Sequence, residues 1–99
     1  MNKYLLMWEI DRSRISSDLL ERKNNWKSML QEITHDLESG KLSDWGSFAG
    51  EGKGYCISSG SPAEIALFVQ KFVPYVRFET HPLVSAPDTL QNLDKLGNP

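Results

Sequence analysis

The amino-acid sequence predicts an α+β protein with a ferredoxin-like βαββαβ order, four antiparallel strands and two helices on one face of the sheet. Three observations lead there. Residues 3–10, KYLLMWEI, are apolar on both alternating sets of positions. Two later segments repeat apolar residues at helical spacing, and a glycine-rich link joins two strand-like runs between them.

The opening strand carries Tyr4, Leu6, Trp8 and Ile10 on one side and Leu5 and Met7 on the other. A strand apolar on both faces belongs at the centre of a sheet, with something covering each side. The charged run Asp11–Arg14 then reads as a loop. Ser17 or Asp18 can cap the helix that follows, and Asp18 with Glu21 has capping-box spacing. Trp26, Leu30, Ile33 and Leu37 recur at intervals of four, three and four, joined by Met29, and make one helical face. Gly40 suits the left-handed residue that ends a helix. Arg22, Lys23 and Lys27 stand beside Glu21, Glu32 and Asp36, the pattern of a solvated helix face.

From Leu42 the pattern changes to strands, Leu42–Phe48 and Tyr55–Ser58, linked through Gly50-Glu51-Gly52-Lys53-Gly54. That link is not a phosphate cradle. A Walker loop ending in Gly52-Lys53 needs Gly at 47 and Ser or Thr at 54, where Ser47 and Gly54 stand. A dinucleotide fingerprint starting at Gly50 needs Gly at 55, where Tyr55 stands. The glycines are read as a turn.

Ser61-Pro62-Ala63-Glu64 starts the second helix with an N-cap Ser, a Pro in the first turn and a Glu at the third position. Ile65, Phe68, Val69, Phe72 and Val73 give its apolar face, and Pro74 stops it. The last strand spans Tyr75 to Val84. Val76, Phe78 and Thr80 suit a helix-covered face, Arg77, Glu79 and His81 form a polar set, and Pro82 marks an edge. Residues 1–85 form the domain. Residues 86–99 form a tail with a short helix from Asp88, anchored by Leu90, Leu93 and Leu96.

In this topology the first and third strands are central. The helices cover one face only, so the two-sided first strand asks for a second cover. A second copy of the chain, paired sheet to sheet in a barrel-like homodimer, is the simplest one.

Composition narrows the function classes. Ninety-nine residues make one domain, and 39% hydrophobic residues supply a core. A formal charge of −2 lacks the basic excess of a dedicated nucleic-acid binder. Cys56 is the only cysteine, so no intrachain disulfide framework exists. His35 and His81 are the only histidines and have no metal-ligand spacing, so neither a metal nor a cofactor is expected. The apolar run Tyr4–Trp8 is too short for a signal sequence or a membrane span, and Glu9 and Asp11 close it. A cytoplasmic protein with no membrane partner is the expectation.

Trp8-Glu9 in the first strand, Asp44-Trp45 in the second and Val76-Arg77-Phe78-Glu79-Thr80-His81-Pro82-Leu83 at the end support a family resemblance. Over about residues 3 to 85 the chain resembles the dimeric α/β-barrel superfamily of ferredoxin-like proteins, and within it a family of small uncharacterised proteins. The resemblance implies a homodimer. The superfamily includes cofactor-independent monooxygenases, lactone isomerases, haem enzymes, stress-response proteins and ligand-sensing domains, and no motif here selects among them.

Glu9, Arg77 and His81 are the candidate catalytic residues: base, anion clamp and proton shuttle of a cofactor-independent monooxygenase or isomerase. Glu79 completes this polar constellation, and the alternative reading is a structural Glu–Arg ion pair at a dimer interface. Trp8, Trp45 and Tyr55, with Glu79, are the candidate ligand-binding residues for a small, partly aromatic molecule. The aromatics, with Tyr4 and Phe48, also suit plain core filling. Cys56 reads as a small buried hydrophobe. An accessory role, or docking of the sheet on a different protein, completes the set of readings.

Overall fold

The computed structural model describes residues 2–97. The elements run β1 (Lys3–Ile10), a 3-10 turn (Arg12–Arg14), α1 (Leu19–Ser39), β2 (Leu42–Ser47), β3 (Lys53–Ser59), α2 (Pro62–Gln70), β4 (Val76–Leu83) and α3 (Ala86–Lys95). The strands form one antiparallel sheet in the order β2-β3-β1-β4, which puts β1 and β3 at the centre. Pro82 sits in the edge strand β4, where a missing ladder donor is tolerated. Among the described residues, no helix is long and apolar enough to cross a membrane.

One face of the sheet is packed. Leu6 and Trp8 of β1, Cys56 of β3 and Val76 of β4 join Ile33 of α1, Ile65 and Phe68 of α2 and Phe72 beyond it in a single buried cluster. Trp8 stacks on Trp45 with ring centres 5.3 Å apart and planes 9° from parallel, and Trp26 of α1 leans on it at 6.1 Å. Trp8 Nε1–H donates to the Tyr55 carbonyl at 3.2 Å, so the buried indole keeps its hydrogen bond. Phe68, Phe72 and Phe78 form an edge-on trio beside it.

The helix starts follow the capping residues. Asp18 accepts from the Leu20 N–H at 2.9 Å. Glu21 does not return the bond to Asp18; its carboxylate accepts from the Ser16 hydroxyl at 3.1 Å. At α2 the box is complete, with Ser61 accepting from the Glu64 N–H and Glu64 from the Ser61 N–H. These bonds hold the Glu64 carboxyl below its usual range. Gly40 ends α1 at φ 84°. α2 ends at Gln70, ahead of Pro74, and residues 71–75 form turns in which Val73 is exposed.

Three sequence expectations need correcting. Leu37 is exposed, whereas Asp36, expected on the solvated face, is 1% exposed. The α1 stripe therefore runs Trp26, Met29, Leu30, Ile33, Asp36. Gly50 and Gly52 form the β2–β3 turn with φ of 76° and 66°, but Gly54 belongs to β3. A Cβ on Gly54 would overlap the Gly46 carbonyl and come within 2.6 Å of the Trp8 ring, so only glycine lets that indole lie on β3. Lastly, the tail helix starts at Ala86, two residues before Asp88, because Ser85 accepts from the Asp88 N–H at 3.2 Å as Ser61 does at α2.

Candidate functional site

Strand alternation sends Leu5, Met7 and Glu9 to the face opposite Leu6 and Trp8. The register places Leu5 between Ile57 and His81, Met7 between Tyr55 and Glu79, and Glu9 between Lys53 and Arg77. No described helix packs against this side through the core cluster, and Leu5, Met7, Ile57 and Tyr55 are half-buried. The face has an apolar middle and a charged margin.

At the Glu9 end lies a depression of about 430 Å³ lined by Met7, Glu9, Phe48, Lys53, Arg77 and Glu79, among others. Its size is within the range of small-molecule pockets, roughly 300–1,000 Å³. Arg77 Nη2 donates to Glu9 Oε1 at 2.9 Å, across directly paired strand positions. Both side chains are more than half exposed, so solvent screens this pair. Lys53 flanks Glu9 from the other strand. The depression thus offers two cations, two carboxylates, an aromatic ring and a thioether. Such a set can orient a flat organic molecule bearing a charged group.

The three candidate catalytic residues share this face but not one spot. Glu9 pairs with Arg77, while His81 lies four residues further along β4 and opposite Leu5. At a strand rise of about 3.3 Å per residue, His81 stands about 13 Å from the Glu9 level. Its Nε2 instead lies 3.2 Å from Glu79 Oε1. A direct Glu9-to-His81 proton transfer has no path of hydrogen-bond length here.

The candidate ligand-binding residues divide between the two faces. Trp8 and Trp45 are on the packed side, filling the core. Tyr55 and Glu79 are on the open side. The Tyr55 hydroxyl donates to Asp44 Oδ2 at 2.8 Å, which pushes the phenol above its usual value. Tyr55 lies across Gly46, where an added Cβ would meet its ring at 2.5 Å. Sequence reasoning missed Lys53 and Phe48 as neighbours of Glu9. Lys53 reads as a turn residue in the sequence, and its place opposite Glu9 depends on β3 starting there, two residues before Tyr55.

Two other reactive groups are accounted for by packing. Burial pushes the Cys56 thiol up to about 12, so it is protonated and unreactive at neutral pH. Asp11 accepts from both the N–H and the hydroxyl of Ser13, which lowers its carboxyl and fixes the turn after β1.

Compared with known proteins, the chain matches no family model and no curated protein.

Proposed function

We propose that the chain is a ferredoxin-like protein that pairs with a second copy across the open sheet face and holds a small, partly aromatic, anionic ligand in the Glu9–Arg77 depression. The observation that carries this reading is the combination of Met7 and Phe48 with Lys53 and Arg77 around one 430 Å³ space on an otherwise uncovered face. Met7 and Phe48 supply apolar contact for a ring. The Glu9 contact uses one nitrogen of Arg77, so the guanidinium keeps further N–H donors for a ligand carboxylate. A second sheet laid over this face would exclude water and strengthen each of those contacts.

The test is thermal unfolding in the presence of aromatic carboxylates and their neutral amide analogues. The acids should raise the melting temperature in a dose-dependent way, by the equivalent of about 2.7 kcal/mol at one hundred times Kd, and the amides much less. Arg77→Gln should remove the response, and at low protein concentration, where single chains predominate, the ligand-free variant should melt close to the wild type, since there the exposed pair contributes about 1 kcal/mol or less. An equal response in the variant, or none in the wild type, would reject the site.

A further inference from the structure

We infer that a groove under the start of α1 is a second ligand site, taking an amphipathic carboxylate whose flexible apolar chain lies along the groove and whose head meets Arg22 and Lys23. The groove is on the helix side of the sheet, so a second copy on the open face leaves it uncovered and neither reading depends on the other.

The groove exists because α1 is longer than the body it packs on. Its 21 residues span about 31 Å, whereas the eight residues of β1 span about 26 Å. The residues that α1 buries fully, Ile33 and Asp36, lie in its second half. Residues 19–25 are all exposed, Leu19 at 69%. The first two turns therefore stand off the core. Between them and the turns after β1 and α2 lies a largely apolar space of about 610 Å³, lined by Ile10, Ile15, Leu19, Trp26, Met29 and Phe72 among others. That volume suits a small molecule, for which pockets run roughly 300–1,000 Å³.

The charges around this space have one sign. In a chain of net charge −2, the charged lining residues are Arg22, Lys23 and Lys71, all cations. The nearby carboxylates are engaged elsewhere. Asp18 accepts from the Leu20 N–H at 2.9 Å, Glu21 accepts from the Ser16 hydroxyl at 3.1 Å, and Glu32 meets Lys71 at 3.1 Å. Among the described residues Arg22 and Lys23 join no ion pair, which leaves both for an anionic head. The groove's rings are also committed: Trp26 leans on Trp8 and Phe72 meets Phe68 edge-on. No pair of rings remains to sandwich a flat ligand, and an acyl chain can follow the uneven floor of Ile10, Met29 and Phe72 instead. Two basic residues of α1, otherwise part of a plain solvated face, thereby acquire a role.

The test is calorimetric titration of the full-length chain with octanoate, 1-octanol and octyltrimethylammonium, three probes that share a chain and differ in head charge. Octanoate should saturate at one equivalent per chain and bind about fivefold or more tighter than 1-octanol, with the cation weakest. Arg22→Gln with Lys23→Gln, both at exposed helix positions, should abolish the preference for the acid and leave 1-octanol binding unchanged. Leu19→Asp should weaken octanoate and 1-octanol alike. Arg77→Gln, on the opposite face, should leave the octanoate titration as in the wild type. Loss of binding in Arg77→Gln with none in the double variant would move the acid to the Glu9–Arg77 depression and overturn the groove site alone. A preference that survives in the double variant would overturn it as well. So would equal binding of the cation, several octanoates per chain, or no octanoate binding in the wild type.

Discussion

The two faces of β1 are built from neighbouring residues and differ completely in their surroundings. Leu6 is fully buried and Trp8 nearly so, within a cluster closed by α1 and α2. Leu5 and Met7, each one residue away, are half-buried on a side that no helix of that cluster covers. A single strand thus carries both the stability of the fold and, in the proposed reading, its recognition surface. Side chains that are equally apolar have unequal tasks, and the pleat separates them.

Truncation should separate the faces most strongly. Leu6→Ala should destabilise the chain by about 2–5 kcal/mol, the cost of a core cavity. Leu5→Ala at low protein concentration should cost less than about 1 kcal/mol and act instead on self-association. Denaturant melts at two protein concentrations measure both effects. Equal losses would mean that the two faces are equally packed within one chain.

The two glycine–aromatic contacts sharpen the same contrast. Gly54→Ala drives a methyl into the Gly46 carbonyl and the buried Trp8 ring. It should cost about 1–3 kcal/mol or more, because neither neighbour can retreat. Gly46→Ala meets the edge of Tyr55 on the open face. That half-buried ring can swing away, so thermal melts should show a smaller loss than for Gly54→Ala.

Within the packed side, Asp36 is the misfit. It is buried, and among the described residues nothing donates a hydrogen bond to its Oδ2. Removing one unsatisfied buried acceptor should therefore stabilise, and Asp36→Leu is expected to gain about 1–3 kcal/mol by chemical denaturation. A loss would mean that the carboxylate has a partner the packing does not reveal.

Cys56 gives the packed face a pH signature. Its thiol titrates near 12 in the fold and near 9.0 when free of it, so above pH 9 the unfolded chain loses its proton first. Stability is then unaffected below pH 9 and falls as pH rises from 9 to 12, by at most about 1.4 kcal/mol per unit from this group. Cys56→Ala should flatten that part of the pH–stability curve. A thiol reagent at neutral pH should leave the native protein unlabelled and react once it is denatured.

The smallest effect belongs to the open margin. Glu9→Gln should change monomer stability by less than about 1 kcal/mol, because its Arg77 partner is mostly in water. A larger loss that appears only at high protein concentration would place the pair inside an interface.

Much of the architecture was legible in the sequence because it rests on local rules. The two-sided apolarity of β1 gave its central place, and Ser61-Pro62-Ala63-Glu64 gave the start of α2. The same signal at Ser85-Ala86-Pro87-Asp88 marks the start of α3. Other features depend on packing that no local pattern encodes. Asp36 sits among charges in sequence, yet α1 turns it inward one residue before Leu37. The irregular register between Leu42 and Asp44 puts Leu42 and Trp45 on the same side despite their odd spacing. That shift sends Trp45 to the core while Tyr55 stays on the open face. Alternation also placed Glu9, Arg77 and His81 on one side without giving the 13 Å along the strands that divides them.

In the proposed pair a second copy covers the open face of β1. Sedimentation equilibrium of the wild type and of Met7→Asp decides between that pair and a single chain. A wild-type particle of twice the 11.2 kDa chain mass, reduced to a single chain in the folded variant, is the expected result. A wild type that stays at 11.2 kDa up to high concentration would contradict it.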